Sequence, residues 1–337
     1  MNNERNFSVV KWRDRMVERQ RPNLRFETDY PAWRKAFAQE FKKLLGPFPE
    51  PVPLRAEIVE RKVFAAYVRE KVVFDSELFM SVPAWVCSPK GIPEGGRCPA
   101  VLCCHGHGHG KDSLVGVLAN GMPGIDYHKR LAVELAERGY VAIAPDWRCF
   151  GERREQAEGD WCNLAHLAAE LLGYNLLSLN VWDGMKALDY LETRGDVDPA
   201  RIGCVGCSFG GTMSLFLSAA DPRVSAVCVS GYLMATGKHP LSGNCGSQTL
   251  PGLLRWGDRA EAAGLICPRP LLIQVGEYDS SFPARHALEE HGRLRSIYEA
   301  AGEPAKLGLD LFDGCHEIHV APILAWFDQW LNKVQKG

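Results

Sequence analysis

From Pro99 onward the chain repeats one rhythm: a short apolar run, a loop, then a stretch long enough for a helix. The runs Pro99–Cys104, Val141–Ala144, Arg201–Gly206, Val224–Ser230, Leu271–Val275 and Leu307–Phe312 are short and bounded by turn residues, which reads as strands. Between them, Asp126 is placed to cap a helix running to Arg138, with Tyr127, Leu131 and Leu135 on one face and Gly139 as its stop. Further helices are expected over Leu176–Thr193, Phe209–Ala220 and Pro283–Ala300, and a last one carries Ile323, Phe327 and Trp330. Continuous apolar strands alternating with helices imply βαβ units, hence an α/β fold with a mostly parallel central sheet covered by helices on both faces.

The chain before Pro99 follows a different pattern. Lys71–Ser76 and Phe79–Ser88 are β-rich and close together, which predicts an antiparallel pair at one sheet edge. The N-terminal segment reads as helix, with Trp33, Phe37, Phe41 and Leu44 as its apolar positions. The proline-rich stretch Gly46–Pro53 stops it, because proline removes amide donors and fixes φ. The expected organisation is an N-terminal helical extension, residues 1–66, packed on a main domain, residues 67–337. Residues 232–264 break the strand–helix rhythm and read as a cap-like insertion.

The charge balance excludes some partners. Lys plus Arg is 39 and Asp plus Glu is 41, a formal net charge of −2, so no global field draws the protein to nucleic acid or an anionic membrane. No apolar segment follows Met1–Phe7, and none approaches the ~20 residues that span a bilayer. The expectation is a cytoplasmic protein with a small-molecule partner; homo-oligomerisation is left open. In that compartment the twelve cysteines read as reduced, small core residues.

In parallel sheets, ligands bind beyond the carboxyl ends of the strands, so the chemistry is sought there. After the strand at Arg201 comes Gly206-Cys207-Ser208-Phe209-Gly210-Gly211, a G-x-S-x-G turn leading into a helix. Such a turn presents Ser208 as a nucleophile on a tight bend, with small neighbours that let the backbone pass. A serine hydroxyl needs a base to take its proton. Two later strand ends supply candidates: Gly276-Glu277-Tyr278-Asp279, and Asp313-Gly314-Cys315-His316-Glu317 followed by His319. His316 falls in the loop directly after its strand, whereas His319 belongs to the following helix. Glu277 and Asp279 both remain open as the acid.

Val197-Asp198-Pro199-Ala200-Arg201-Ile202-Gly203, running into the glycine-flanked serine, resembles the nucleophile region of α/β-hydrolases. The nearer likeness is to the acetyl xylan esterase-like and dienelactone hydrolase-like groups, from about Tyr67 to the C-terminus. The resemblance implies the α/β-hydrolase fold and a Ser208–His316–Asp279 triad, Asp279 being favoured by the G-x-x-D arrangement. It also implies an oxyanion hole made by the backbone N–H groups of His107 and Phe209, and a loop organised by Asp146 and Arg148. The implied activity is hydrolysis of carboxylic esters, with short acyl groups such as acetyl on sugars, through an acyl-enzyme and without metal or organic cofactor. Dienelactone hydrolase itself carries cysteine as nucleophile; here serine holds that place, with Cys207 before it. A prolyl oligopeptidase-like peptidase and a non-catalytic binding protein of the same fold are the alternatives. The first usually carries a propeller domain, which this chain lacks, and the second usually loses a triad member.

Three other features stand out in the sequence. His105, His107 and His109 alternate and could share a face for zinc, but the intervening glycines disfavour a rigid ligand set. Cys204-Val205-Gly206-Cys207 has redox-motif spacing but lies in a strand and turn. Trp147 and Trp161 are candidate walls of the substrate site.

Overall fold

The computed structural model describes residues 5–118, 121–155, 159–239 and 245–332. Its strands are β1 (Glu57–Val63), β2 (Tyr67–Glu77), β3 (Met80–Pro89), β4 (Cys98–Cys104), β5 (Val141–Pro145), β6 (Val197–Cys207), β7 (Val224–Ser230), β8 (Leu271–Gly276) and β9 (Leu307–Phe312). They form one sheet in the order β1-β2-β3-β5-β4-β6-β7-β8-β9. The first three strands and the β3·β5 junction are antiparallel, and every pairing from β5 to β9 is parallel.

The helices are α1 (Val9–Arg19), α2 (Tyr30–Leu45), α3 (Leu131–Glu137), α4 (Trp161–Leu171), α5 (Leu176–Thr193), α6 (Phe209–Ala220), α7 (Arg259–Gly264), α8 (Ala284–Ala300) and α9 (Val320–Leu331). Successive strand residues point to opposite faces, and β4 divides accordingly. Ala100, Leu102 and Cys104 join a core with α2, α5, α6 and α8, whereas Val101 and Cys103 join one with α3 and α9. Helices therefore cover both faces, which is the expected fold class. None of the described helices is long and apolar enough to cross a membrane.

Three local expectations differ. The helix expected from Asp126 starts only at Leu131, because Lys129 and Arg130 adopt left-handed φ values of 53° and 48°. Asp126 binds His128 instead of capping a helix. Within the segment expected to be helical extension, Glu57–Val63 is a sheet-edge strand; all its residues are exposed, so no burial alternation marks it. Helix α4 has no counterpart in the sequence reading; Asp160 caps it by accepting from Asn163 N–H.

In α2, Trp33, Phe37, Phe41 and Leu45 are buried, and Phe41 stacks on Phe216 of α6 at 6.0 Å. Leu45, rather than Leu44, completes the apolar stripe before Gly46 ends the helix. The N-terminal segment thereby supports the helix that follows Ser208. Of the region 232–264, residues 240–244 lie outside the described part.

Candidate active site

Ser208 joins β6 to α6 with φ 62° and ψ −123°, a conformation costly for any residue but glycine. The surroundings hold it there. Its N–H donates to Ser230 O at 3.1 Å, and its carbonyl accepts from Thr212 at 3.0 Å. Glycine is required on either side. A Cβ on Gly206 would lie 2.5 Å from the Gly210 carbonyl, and one on Gly210 would collide with the Cys104 carbonyl oxygen. The sequence folds this way because only glycine lets α6 approach the end of β4 so closely.

The carboxyl end of β8 supplies Asp279, whose side chain is almost wholly buried. One carboxylate oxygen accepts from the N–H groups of Ser281 and Phe282, both at 2.8 Å. The other lies 2.7 Å from Nδ1 of His316, in the loop after β9. Because the acceptor is a carboxylate, Nδ1 carries the proton and Nε2 is left with a free lone pair. Phe282 stacks on the imidazole at 5.7 Å and Tyr127 lies 5.8 Å from it on a tilt, fixing the ring plane. Gly231, at the end of β7, abuts the same ring and Cys207.

The competing residues sit elsewhere. Glu277 is exposed. His319 turns to Asp310, with Nδ1 3.1 Å from Oδ2, and its backbone is held by Gln274. The structure thus pairs Asp279 with His316 and directs His319 away.

The loop after β4 lies against Ser208: a Cβ on Gly106 would come within 3.1 Å of Ser208 Cβ. Gly106 N–H donates to His128 Nε2 at 2.8 Å, and His128 Nδ1 faces Asp126 at 3.0 Å. An Asp–His pair thus clamps the loop. Burial raises the Asp126 carboxyl, but the His128 ring and N–H outweigh it and hold it below the usual carboxylate range. Tyr127 OH donates to His107 O at 2.7 Å, while Tyr127 O accepts from Ile318 N–H at 2.9 Å, tying this loop to the His316 loop. Phe209 is the first residue of α6, where backbone N–H groups lack intrahelical acceptors.

His105, His107 and His109 do not share a site. His105 is buried; its Nε2 accepts from Trp147 N–H at 3.1 Å, so Nδ1 donates to Gly106 O at 2.8 Å. Burial pushes its pKa down to about 3, which keeps the ring neutral. His107 instead reaches Cys245, with Nε2 3.1 Å from Sγ. His109 starts the 3₁₀ turn Gly110–Val115.

Cys204 and Cys207 belong to opposite faces of β6, as a three-residue offset in a strand requires, so they cannot form a redox pair. All twelve cysteines are free thiols. Trp147 is fully buried and packs near His105, making it core rather than site wall. Trp161 lines an apolar hollow with Cys149, Leu164 and Ala165 that includes no triad candidate.

Asp146 and Arg148 organise the loop after β5. Asp146 accepts from Lys111 N–H at 2.7 Å, Lys111 Nζ at 2.9 Å and Glu152 N–H at 3.0 Å. Arg148 forks onto Asp183 at 2.9 and 3.0 Å and reaches Glu77 at 2.6 Å. The buried Lys111 and the Asp126–His128 clamp escaped sequence reading. Gly-Lys-Asp after the histidine run was the available cue for Lys111, but its partner lies 35 residues away.

A glycine-flanked elbow at the end of the central parallel strands, with His316 seated on Asp279, is the layout of one broad group of hydrolases. The Abhydrolase family matches residues 2–283. The chain belongs to that family. The Bacillus subtilis (strain 168) protein named "Putative hydrolase YtaP" is 31% identical over 273 residues, covering 77% of this chain and 86% of that one. Among solved structures, a "putative acetyl xylan esterase" from Bacteroides fragilis NCTC 9343 aligns with TM-score 0.77 and 18% identity over 93% of this chain and 84% of its own. "Methylesterase BT1017" aligns with TM-score 0.69 and 19% identity over 95% of this chain and 68% of its own. Abhydrolase membership makes the chain an α/β-hydrolase-fold enzyme. The family match ends before His316.

Proposed function

We propose that this protein is a serine esterase that cleaves short-acyl carboxylic esters, such as acetyl esters of sugars, with Ser208 as nucleophile. One observation carries the reading: the 2.7 Å contact between His316 Nδ1 and the buried Asp279 carboxylate, on the same rim as the strained Ser208 elbow. That contact leaves Nε2 as a base and stabilises the imidazolium formed when it takes a proton.

In the proposed cycle, Ser208 Oγ attacks the ester carbonyl and passes its proton to His316 Nε2. The carbonyl π electrons move to oxygen, and the N–H groups of Phe209 and His107 hold that oxyanion. The tetrahedral intermediate collapses, the C–O bond to the alcohol breaks, and His316 returns its proton to the leaving alcohol. Water then attacks the acyl-enzyme, with His316 again taking and returning the proton, and the carboxylic acid leaves. The oxyanion assignment is supported by the contact of Gly106 with Ser208 and by the position of Phe209 at the helix start. The names of the structural neighbours favour acetylated xylan and methyl esters as the first substrates to try.

The test is hydrolysis of p-nitrophenyl esters of increasing acyl length by the wild type and by Ser208→Ala. The reading expects turnover that is fastest for acetate and falls by about 10⁶ in the variant. Equal rates in the two proteins would overturn it.

A further inference from the structure

We infer that His107, Cys162 and Cys245 form a binding site for a thiophilic divalent metal ion of the zinc type, beside the catalytic rim. Ligand atoms of these three residues all lie within 4.8 Å of one another. His107 Nε2 is already 3.1 Å from Cys245 Sγ. Two thiolates and an imidazole are ligands that zinc prefers, at about 2.3 Å for sulfur and 2.0–2.1 Å for nitrogen. Around a tetrahedral ion such atoms stand within ~3.8 Å of each other, so side-chain adjustments of about an ångström close the set.

Further observations mark the cluster as built. Next to Cys162, Cys149 Sγ donates to Trp161 O at 3.5 Å, which ties the loop after β5 to the start of α4. Cys149 occupies this place in the left-handed region, φ 74°, where glycine is the economical choice. Ser247 Oγ lies 2.9 Å from Cys245 Sγ, placed to donate to a thiolate as outer-shell groups do around bound metals. Asn163 Oδ1, one residue beyond Cys162, accepts from Gly246 N–H at 2.8 Å and fixes the two cysteine segments together.

The three contributing segments are far apart in sequence: the loop after β4, the first turn of α4 and the segment after β7. The other close thiol pair, Cys104 and Cys204 at 3.7 Å, lies in the core under α6 and belongs to no such three-ligand group among the described residues. An ion at the cluster would join the insertion to the loop that carries His107. Metal binding stands apart from the esterase reading; only its effect on that loop rests on it.

The test starts from wild-type protein, fully reduced and then freed of metal by a chelator, titrated with Co²⁺ under exclusion of oxygen. The expected result is one equivalent of Co²⁺ per chain. It should show intense thiolate-to-cobalt charge transfer in the near ultraviolet and strong tetrahedral visible bands, both abolished by one equivalent of Zn²⁺. Zn²⁺ should raise Tm in the wild type and in Cys98→Ser, a cysteine outside the cluster. Cys162→Ser and Cys245→Ser should each weaken Zn²⁺ binding at least tenfold, with circular dichroism checking that both remain folded. Absence of charge transfer in the wild type would overturn the inference, as would undiminished binding in the Cys162→Ser/Cys245→Ser double variant. So would a Cys162–Cys245 disulfide forming on air exposure in a protein that binds no Co²⁺ when reduced. Ester hydrolysis enters none of these readouts, so a failed metal site and a failed esterase reading are distinguishable.

Discussion

Replacing Asp279 by asparagine changes one oxygen to an NH₂ group and nothing in volume, so it isolates the role of the carboxylate. Ser281 and Phe282 N–H groups both point at one side-chain oxygen, which fixes the amide orientation: its oxygen must face them. The NH₂ group then faces His316 Nδ1, where the carboxylate accepted at 2.7 Å. Two donors cannot share that contact, so Nδ1 becomes the acceptor and the ring proton moves to Nε2. The base then has no lone pair for the Ser208 hydroxyl. An inverted histidine tautomer of this kind costs about 10⁴ in kcat, or about 5.4 kcal/mol at 1.36 kcal/mol per decade. Since every backbone donor keeps its acceptor, Tm should stay near the wild-type value. Asp279→Ala, by contrast, strands the buried Phe282 N–H and should cost about 1–3 kcal/mol of stability in addition. The assay is steady-state hydrolysis of p-nitrophenyl acetate with parallel thermal unfolding of both variants. Asp279→Asn within tenfold of wild-type kcat would refute the reasoning, whatever its Tm.

Other predictions follow from the same geometry. His128→Ala removes the acceptor of Gly106 N–H and loosens the loop carrying His107; kcat should fall roughly 10- to 100-fold with KM little changed, less than the ~10²–10³ cost of losing an oxyanion donor outright. His319→Ala, by contrast, should leave kcat/KM within about twofold, because that ring serves Asp310. Gly210→Ala drives a methyl into the Cys104 carbonyl, and overpacking of this kind costs at least ~1–3 kcal/mol, read as a lowered Tm or loss of soluble protein. Burial depresses the pKa of neutral His105 from the ordinary histidine value of about 6.5 to about 3. Its contribution to stability is complete above the unfolded value and is lost as pH falls through that window, because the unfolded chain binds the extra proton. Tm measured against pH should therefore decline on acidification, with a shallower slope in His105→Gln.

The central sheet was legible because its strands are buried on both sides and bounded by turns, and the helices over Leu176–Thr193 and Phe209–Ala220 fall where the periodicity put them. The placement of the candidate site was legible to the extent that strand ends were: Ser208, Asp279 and His316 lie in the turns that follow β6, β8 and β9. Local pattern failed where distant contacts decide. The left-handed Lys129 and Arg130 interrupt an otherwise good amphipathic run because His128 is engaged by Gly106, 22 residues earlier. Strand β1 shows no alternation since it is an exposed edge. Neither Lys111 nor the Cys162–Cys245 approach has a spacing signature, because their partners arrive from other loops.

The most direct measurement of the central claim is covalent capture. A fluorophosphonate reacts only with a serine whose proton a neighbouring base removes, so the wild type treated with one should gain a single adduct. Peptide mass spectrometry should place that adduct on Ser208, and the adduct should disappear in His316→Ala. Unmodified Ser208, or an adduct on another residue, would contradict the account.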